Sequence, residues 1–210
     1  MVVRNLKLLG NNLYMLYKEE LEKLLKLDGQ IKGVFLQTDA KYILEKEGEG
    51  GLQRLEKKAK EFGLKLDYRT ARAMQWYPVG LRPISLLLIK EVFGYNDKDI
   101  REMGRMAAKF SFIIKFFVRF FTSIKKIFEK SPDYYKMQYS IGKLEPVYFD
   151  EKEKKCILRL KNFKIHPLVC FYLEGYFQGV AEFALKGKVS CQETKCVFRG
   201  DEYNEYLIQW

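Results

Sequence analysis

The stretch from His166 to Leu185, HPLVCFYLEGYFQGVAEFAL, decides how the chain is read. His166-Pro167 opens a helix that continues to about Leu185. Gly175 and Gly179 lie four apart on it, so a bare strip of backbone faces one side. Glycine within a helix costs about 1 kcal/mol relative to alanine, and two of them predict close packing against a sheet or a ligand.

Working outward, the period changes on both sides of this helix. Lys188 to Arg199 and Tyr203 to Trp210 read as a final hairpin around Gly200-Asp201. Pro146 to Phe149 and Lys155 to Lys161 read as strands straddling the charged turn Asp150 to Lys154, and Lys136 to Ile141 as a strand before them. Upstream the chain is helical. A long helix is expected over about Phe110 to Lys130, stopped by Ser131-Pro132, and another is capped at Asn96-Asp97 and runs through Ala108. Ile84 to Phe93 looks helical and buried after the bend framed by Pro78 and Pro83, and Lys65 to Met74 extended. Gln30 to Gln37 reads as a short strand, with Thr38 or Asp39 capping a helix broken by Gly48, Gly50 and Gly51. A further helix spans about Gly51 to Phe62 and is stopped by Gly63. At the front, Leu13, Leu16, Tyr17, Leu21, Leu24 and Leu25 form an amphipathic helix over Asn11 to Leu27, ended by Asp28-Gly29. The expectation is an α+β fold, a helical N-terminal half packed on an antiparallel sheet, with residues 1–29 as a leading helical element and 30–210 as one domain.

Composition bounds what such a domain does. Of 210 residues 48% are hydrophobic and 15% aromatic, which suits a large aromatic core or an apolar cavity. The net charge is +11, and over half of it lies between Arg101 and Lys130, where eight Lys or Arg meet only Glu102 and Glu129. No nucleic-acid recognition motif accompanies that charge, so nucleic acid is not an expected partner. The four cysteines, Cys156, Cys170, Cys191 and Cys196, follow no export signal, which points to a reducing, cytoplasmic setting where they are buried fillers or metal ligands. Phe110 to Phe121 is interrupted by Lys115 and Arg119 and is too short to span a membrane. A nucleophile elbow, a Walker loop and a dinucleotide turn are all missing, and His166 is the one histidine for acid–base work, so no enzymatic activity is expected.

The C-terminal forty-five residues resemble the four-vinyl-reductase (V4R) domain and its relatives among aromatic-hydrocarbon sensors. The resemblance implies a zinc site at Cys170, Glu193 and Cys196; the family's fourth, cysteine position falls here on Asn204, and a neutral amide is a poor zinc ligand. Cys191 would sit on the opposite strand face from Cys196 unless a bulge intervenes. Further forward, Ile31-Lys32-Gly33-Val34-Phe35-Leu36 and Asp99-Ile100-Arg101-Glu102-Met103-Gly104-Arg105-Met106-Ala107-Ala108 resemble the opening of haem–nitric-oxide-binding (H-NOX) domains and their non-haem relatives, a superfamily that includes vesicle-tethering (TRAPP-like) subunits holding an acyl chain. The haem branch needs a proximal histidine on a central helix and a Tyr-x-Ser-x-Arg cluster; Tyr139-Ser140-Ile141 has neither the spacing nor the arginine, so haem is not expected.

What the resemblance implies is a sensor module, with an apolar small molecule or acyl chain held in an internal pocket. The expected lining is Trp76, the aromatic helix residues Phe112, Phe116, Phe117, Phe120 and Phe121, and Tyr172, Gly175, Tyr176 and Gly179 from the late helix. Signals would pass to a partner protein or a second copy of the chain. The alternative is a ligand-free scaffold that dimerises, or meets an anionic membrane surface through its basic segment.

Overall fold

The structure, a computed structural model, describes residues 18–120 and 123–210, the side chains of Phe117 and Phe120 excepted. Its first element is α1 (18–25), whose Leu21 and Leu24 are buried in the main core. Gly80 packs so closely on the Leu24 carbonyl that an added Cβ would overlap it, so α1 sits on the domain. The rest of the expected leading helix, with Leu13, Leu16 and Tyr17, lies outside the described residues.

The strand expected over Gln30 to Gln37 is shorter. β1 (Gln30–Lys32) pairs antiparallel with β2 (Trp76–Pro78), and α2 (Val34–Glu61) begins directly after Gly33. An apolar run as short as Val34-Phe35-Leu36 fits either period; here all three are buried on a helix, and Thr38 and Asp39 lie inside it instead of capping it. Gly48, at φ 69° and ψ −174°, kinks α2 where the glycine run predicted a break, and Gly63 ends it with a positive φ. Lys65 to Met74 forms turns, not a strand. α3 (Leu81–Phe93) follows, then α4 (Asp97–Phe110), whose cap Asn96 accepts from the Lys98 and Asp99 N–H groups while the Asp99 carboxylate accepts from the Asn96 N–H.

The single helix expected over 110–130 is two. α5 (Phe112–Phe120) is followed by α6 (Ile124–Gln138), which Ser123 caps. Pro132 does not stop α6. A proline there has no N–H for the carbonyl four residues back, but the Ser131 hydroxyl donates to that Phe128 carbonyl at 2.8 Å, and the helix runs on. It absorbs most of the strand expected from Lys136; Tyr139 keeps a lone bridge to Ile31. The hairpin β3 (Lys143–Asp150) and β4 (Lys155–Lys161), helix α7 (Pro167–Leu185), and strands β5 (Ser190–Lys195) and β6 (Asn204–Gln209) follow the sequence reading closely. The main sheet has the order β3-β4-β6-β5, antiparallel throughout.

α7 packs on β5 and β6 and crosses α4 on its other side. The bare strip of Gly175 and Gly179 meets the Arg101 and Arg105 carbonyls of α4, and Gly104 of α4 meets the Tyr172 carbonyl in return. The close partner expected to be a sheet or a ligand is therefore a second helix. The architecture is α+β, with helices on an antiparallel sheet and one large apolar core between them.

Candidate functional site

Between the start of α2, the Arg82 turn of α3, α6, α7 and the inner face of the sheet, the core leaves a cavity of about 110 Å³. Its wall is mostly apolar and aromatic, with Phe35, Ile114, Phe128, Leu158, Phe177 and Val180. α7 presents Tyr172 and Tyr176 to it, one turn apart with rings stacked at 6.2 Å. The Tyr176 hydroxyl meets that of Tyr134 on α6 at 2.8 Å. Burial raises the pKa of these phenols, and that of neighbouring Tyr139 to about 12, so the wall carries neutral hydroxyls at neutral pH.

Into this apolar wall the fold brings one buried ion pair that the sequence reading missed. Arg82 Nη1 donates to Asp39 Oδ2 at 2.6 Å, and both side chains are fully buried. Ser85 Oγ donates to the same carboxylate oxygen at 2.7 Å, and the Tyr68 hydroxyl meets Ser85 at 2.9 Å. The guanidinium lies over the Tyr172 ring, 4.0 Å from its centroid. Burial works against the charge on Arg82, yet Asp39 and the neighbouring tyrosines hold its pKa above the usual value. A signal was present: Arg82 is the sole charged residue between Arg72 and Lys90.

The expected lining residues divide. Tyr172 and Tyr176 line the cavity, whereas Gly175 and Gly179 face α4. Phe112 and Phe116 are 55% and 65% exposed and point away from it, because Ile113, Ile114 and Val118 take the inward side of α5. Trp76 sits in β2 outside the cavity wall, under the Lys32 ammonium at 3.8 Å. The side chains of Phe117 and Phe120, and Phe121 entirely, lie outside the described residues.

A second cluster forms where α7 begins. The thiols of Cys170 and Cys196 are 3.7 Å apart, and with the Glu193 carboxylate their ligand atoms all lie within 4.8 Å of one another. A register slip in β5 between Glu193 and Lys195 brings Cys196 to the buried side, while Cys191 stays in the core. Burial, then Glu193 and Cys196, pushes the Cys170 thiol up, and burial raises the Glu193 carboxyl. Glu193 Oε1 is buried without a hydrogen-bond partner. Two thiols and an orphaned carboxylate oxygen fit a zinc ion with a fourth position open. Asn204 does not supply that position: its Oδ1 accepts from the Val197 N–H at 3.0 Å and its Nδ2 donates to the Phe163 carbonyl at 3.2 Å. His166 caps α7, its Nδ1 accepting from the Leu168 N–H at 3.2 Å, and does not line the cavity.

The fold is that of H-NOX domains. An H-NOX protein from S. oneidensis in the Fe(II)NO ligation state superposes with a TM-score of 0.63 at 12% identity, over 85% of this chain and 98% of that one. An oxygen-binding H-NOX domain related to soluble guanylate cyclases gives 0.57 at 15% identity, over 85% and 94%. Within that fold, residues 154–209, which run from β4 to β6 and carry the cysteine–glutamate cluster, match the V4R domain. An uncharacterized protein of Methanocaldococcus jannaschii is 35% identical over 74 residues, 33% of this chain and 43% of that protein, so the chain spans less than half of its length.

Proposed function

We propose that this chain is a non-catalytic binding module that senses a small apolar molecule in its central cavity. The observation that supports this most is the cavity itself, about 110 Å³ bounded by aromatic and aliphatic side chains. That is of the order of the ~150 Å³ cavity which stays dry and admits benzene. A guest of about one ring suits it better than a long acyl chain. Haem does not fit: the scheme of the haem branch needs a histidine at the cofactor, and His166 is tied to the start of α7 with its Nε2 3.2 Å from Glu20. Zinc fits Cys170, Glu193 and Cys196 and would tie the first turn of α7 to the end of β5. Filling the cavity would shift the balance between two arrangements of the domain, which a partner protein or a second copy reads. Native mass spectrometry of the purified chain tests guest and metal together. The expected result is a one-to-one adduct with toluene, and a zinc adduct lost on Cys170→Ser. A chain that takes up neither overturns the reading.

A second reading has its own support. Phe112, Lys115, Phe116 and Arg119 make one exposed face of α5, aromatic and basic by turns, which suits the surface of an anionic membrane. No helix among the described residues is long and apolar enough to cross one.

A further inference from the structure

The guanidinium of Arg82 is only half used. Nη1 goes to Asp39, while Nε and Nη2 are buried with no hydrogen-bond partner. In arginine the Nη1 nitrogen lies on the side of Cδ, so the Nε–H and one Nη2–H point the same way. Together they form the edge that takes both oxygens of a carboxylate in parallel hydrogen bonds. The stack on Tyr172 holds the plane of the group and leaves its edges to make polar contacts. A buried charged donor left without an acceptor is costly, which makes this edge a standing demand for one.

The charge around the cavity points the same way. Among the described residues its wall contains no carboxylate, and of its two cationic residues the Lys32 ammonium turns away to the Met74 carbonyl and the Trp76 ring, which leaves Arg82. Asp39 is not part of that wall and engages Nη1 alone, so the Nε/Nη2 edge is left for an acceptor that a guest brings. A third donor without a partner, Gln138 Nε2, belongs to the same wall. Resting on the reading that the cavity holds a guest, we infer that this guest is a small apolar acid. Its carboxylate takes the Nε/Nη2 edge of Arg82, and its hydrocarbon part lies among Phe35, Ile114, Phe177 and Val180.

Three probes of one ring each test this: benzoate, toluene and benzylamine, titrated into the purified chain by ligand-observed NMR. Benzoate is expected to bind at least about tenfold more tightly than toluene, and the benzylammonium ion not to bind. Arg82→Lys keeps a cation for Asp39 but loses the edge; it is expected to weaken benzoate about tenfold and leave toluene within about twofold. Toluene binding as well as benzoate, or benzoate indifferent to Arg82→Lys, overturns the carboxylate and leaves the apolar cavity standing. If neither probe binds, both readings fall. Should Arg82→Lys not fold, the ranking of the three probes on the unaltered protein decides the matter alone.

Discussion

Asp39 and Arg82 join two helices through a contact buried on every side, 43 residues apart in sequence. Such a pair adds little over well-packed apolar residues, yet breaking it leaves an uncompensated charge. Asp39→Ala is therefore expected to cost about 3–5 kcal/mol, measured by urea unfolding; a loss below about 1 kcal/mol would mean the arginine finds another partner. At this scale the sequence was only partly legible. Asp39 reads as a helix cap because aspartate favours caps, and the partner that draws it into the interior is visible only once α2 and α3 are folded together. Cys170, Glu193 and Cys196 were legible as a set, by resemblance. The true duty of Asn204, bridging Val197 and Phe163, was not, because both of its partners are backbone groups.

Among the elements, α7 was readable from end to end because His166-Pro167 and the loss of apolar period at Lys186 mark its limits locally. α6 was not. The serine that covers the carbonyl freed by Pro132 works only within the helix the proline was expected to end. The crossing of α4 and α7 yields a sharp expectation. A Cβ on Gly175 would overlap the Arg101 carbonyl, and backbone cannot swing aside as a side chain can. Gly175→Ala is expected to destabilise the domain by about 3 kcal/mol, the upper range for overpacking, despite the better helix propensity of alanine. Thermal unfolding reads this, and an unchanged or raised midpoint would contradict it. Gly50, with open space around it, serves as the control substitution.

For the molecule as a whole, the fold class was legible because the switch from helical to alternating period is long-range and strong. The cavity was legible only as an excess of aromatics; which of them face inward depends on how α5 is rotated, and its two exposed phenylalanines were assigned to the wrong side. Those phenylalanines and the basic residues Lys115 and Arg119 on the same face predict salt-sensitive attachment to vesicles containing phosphatidylserine. Lys115→Gln with Arg119→Gln is expected to lower partition by about thirtyfold, near 1 kcal/mol for each charge; flotation equal to that on neutral lipid would remove the second reading. The meeting of α4 and α7 bears on how any signal travels. With main chain pressed against main chain at Gly104, Gly175 and Gly179, no pliant layer of side chains lies between the two helices to soak up a push. On the proposed reading, a guest leaning on Tyr172 or Tyr176 would move both as one lever, whose far arm carries the exposed Lys98 of α4.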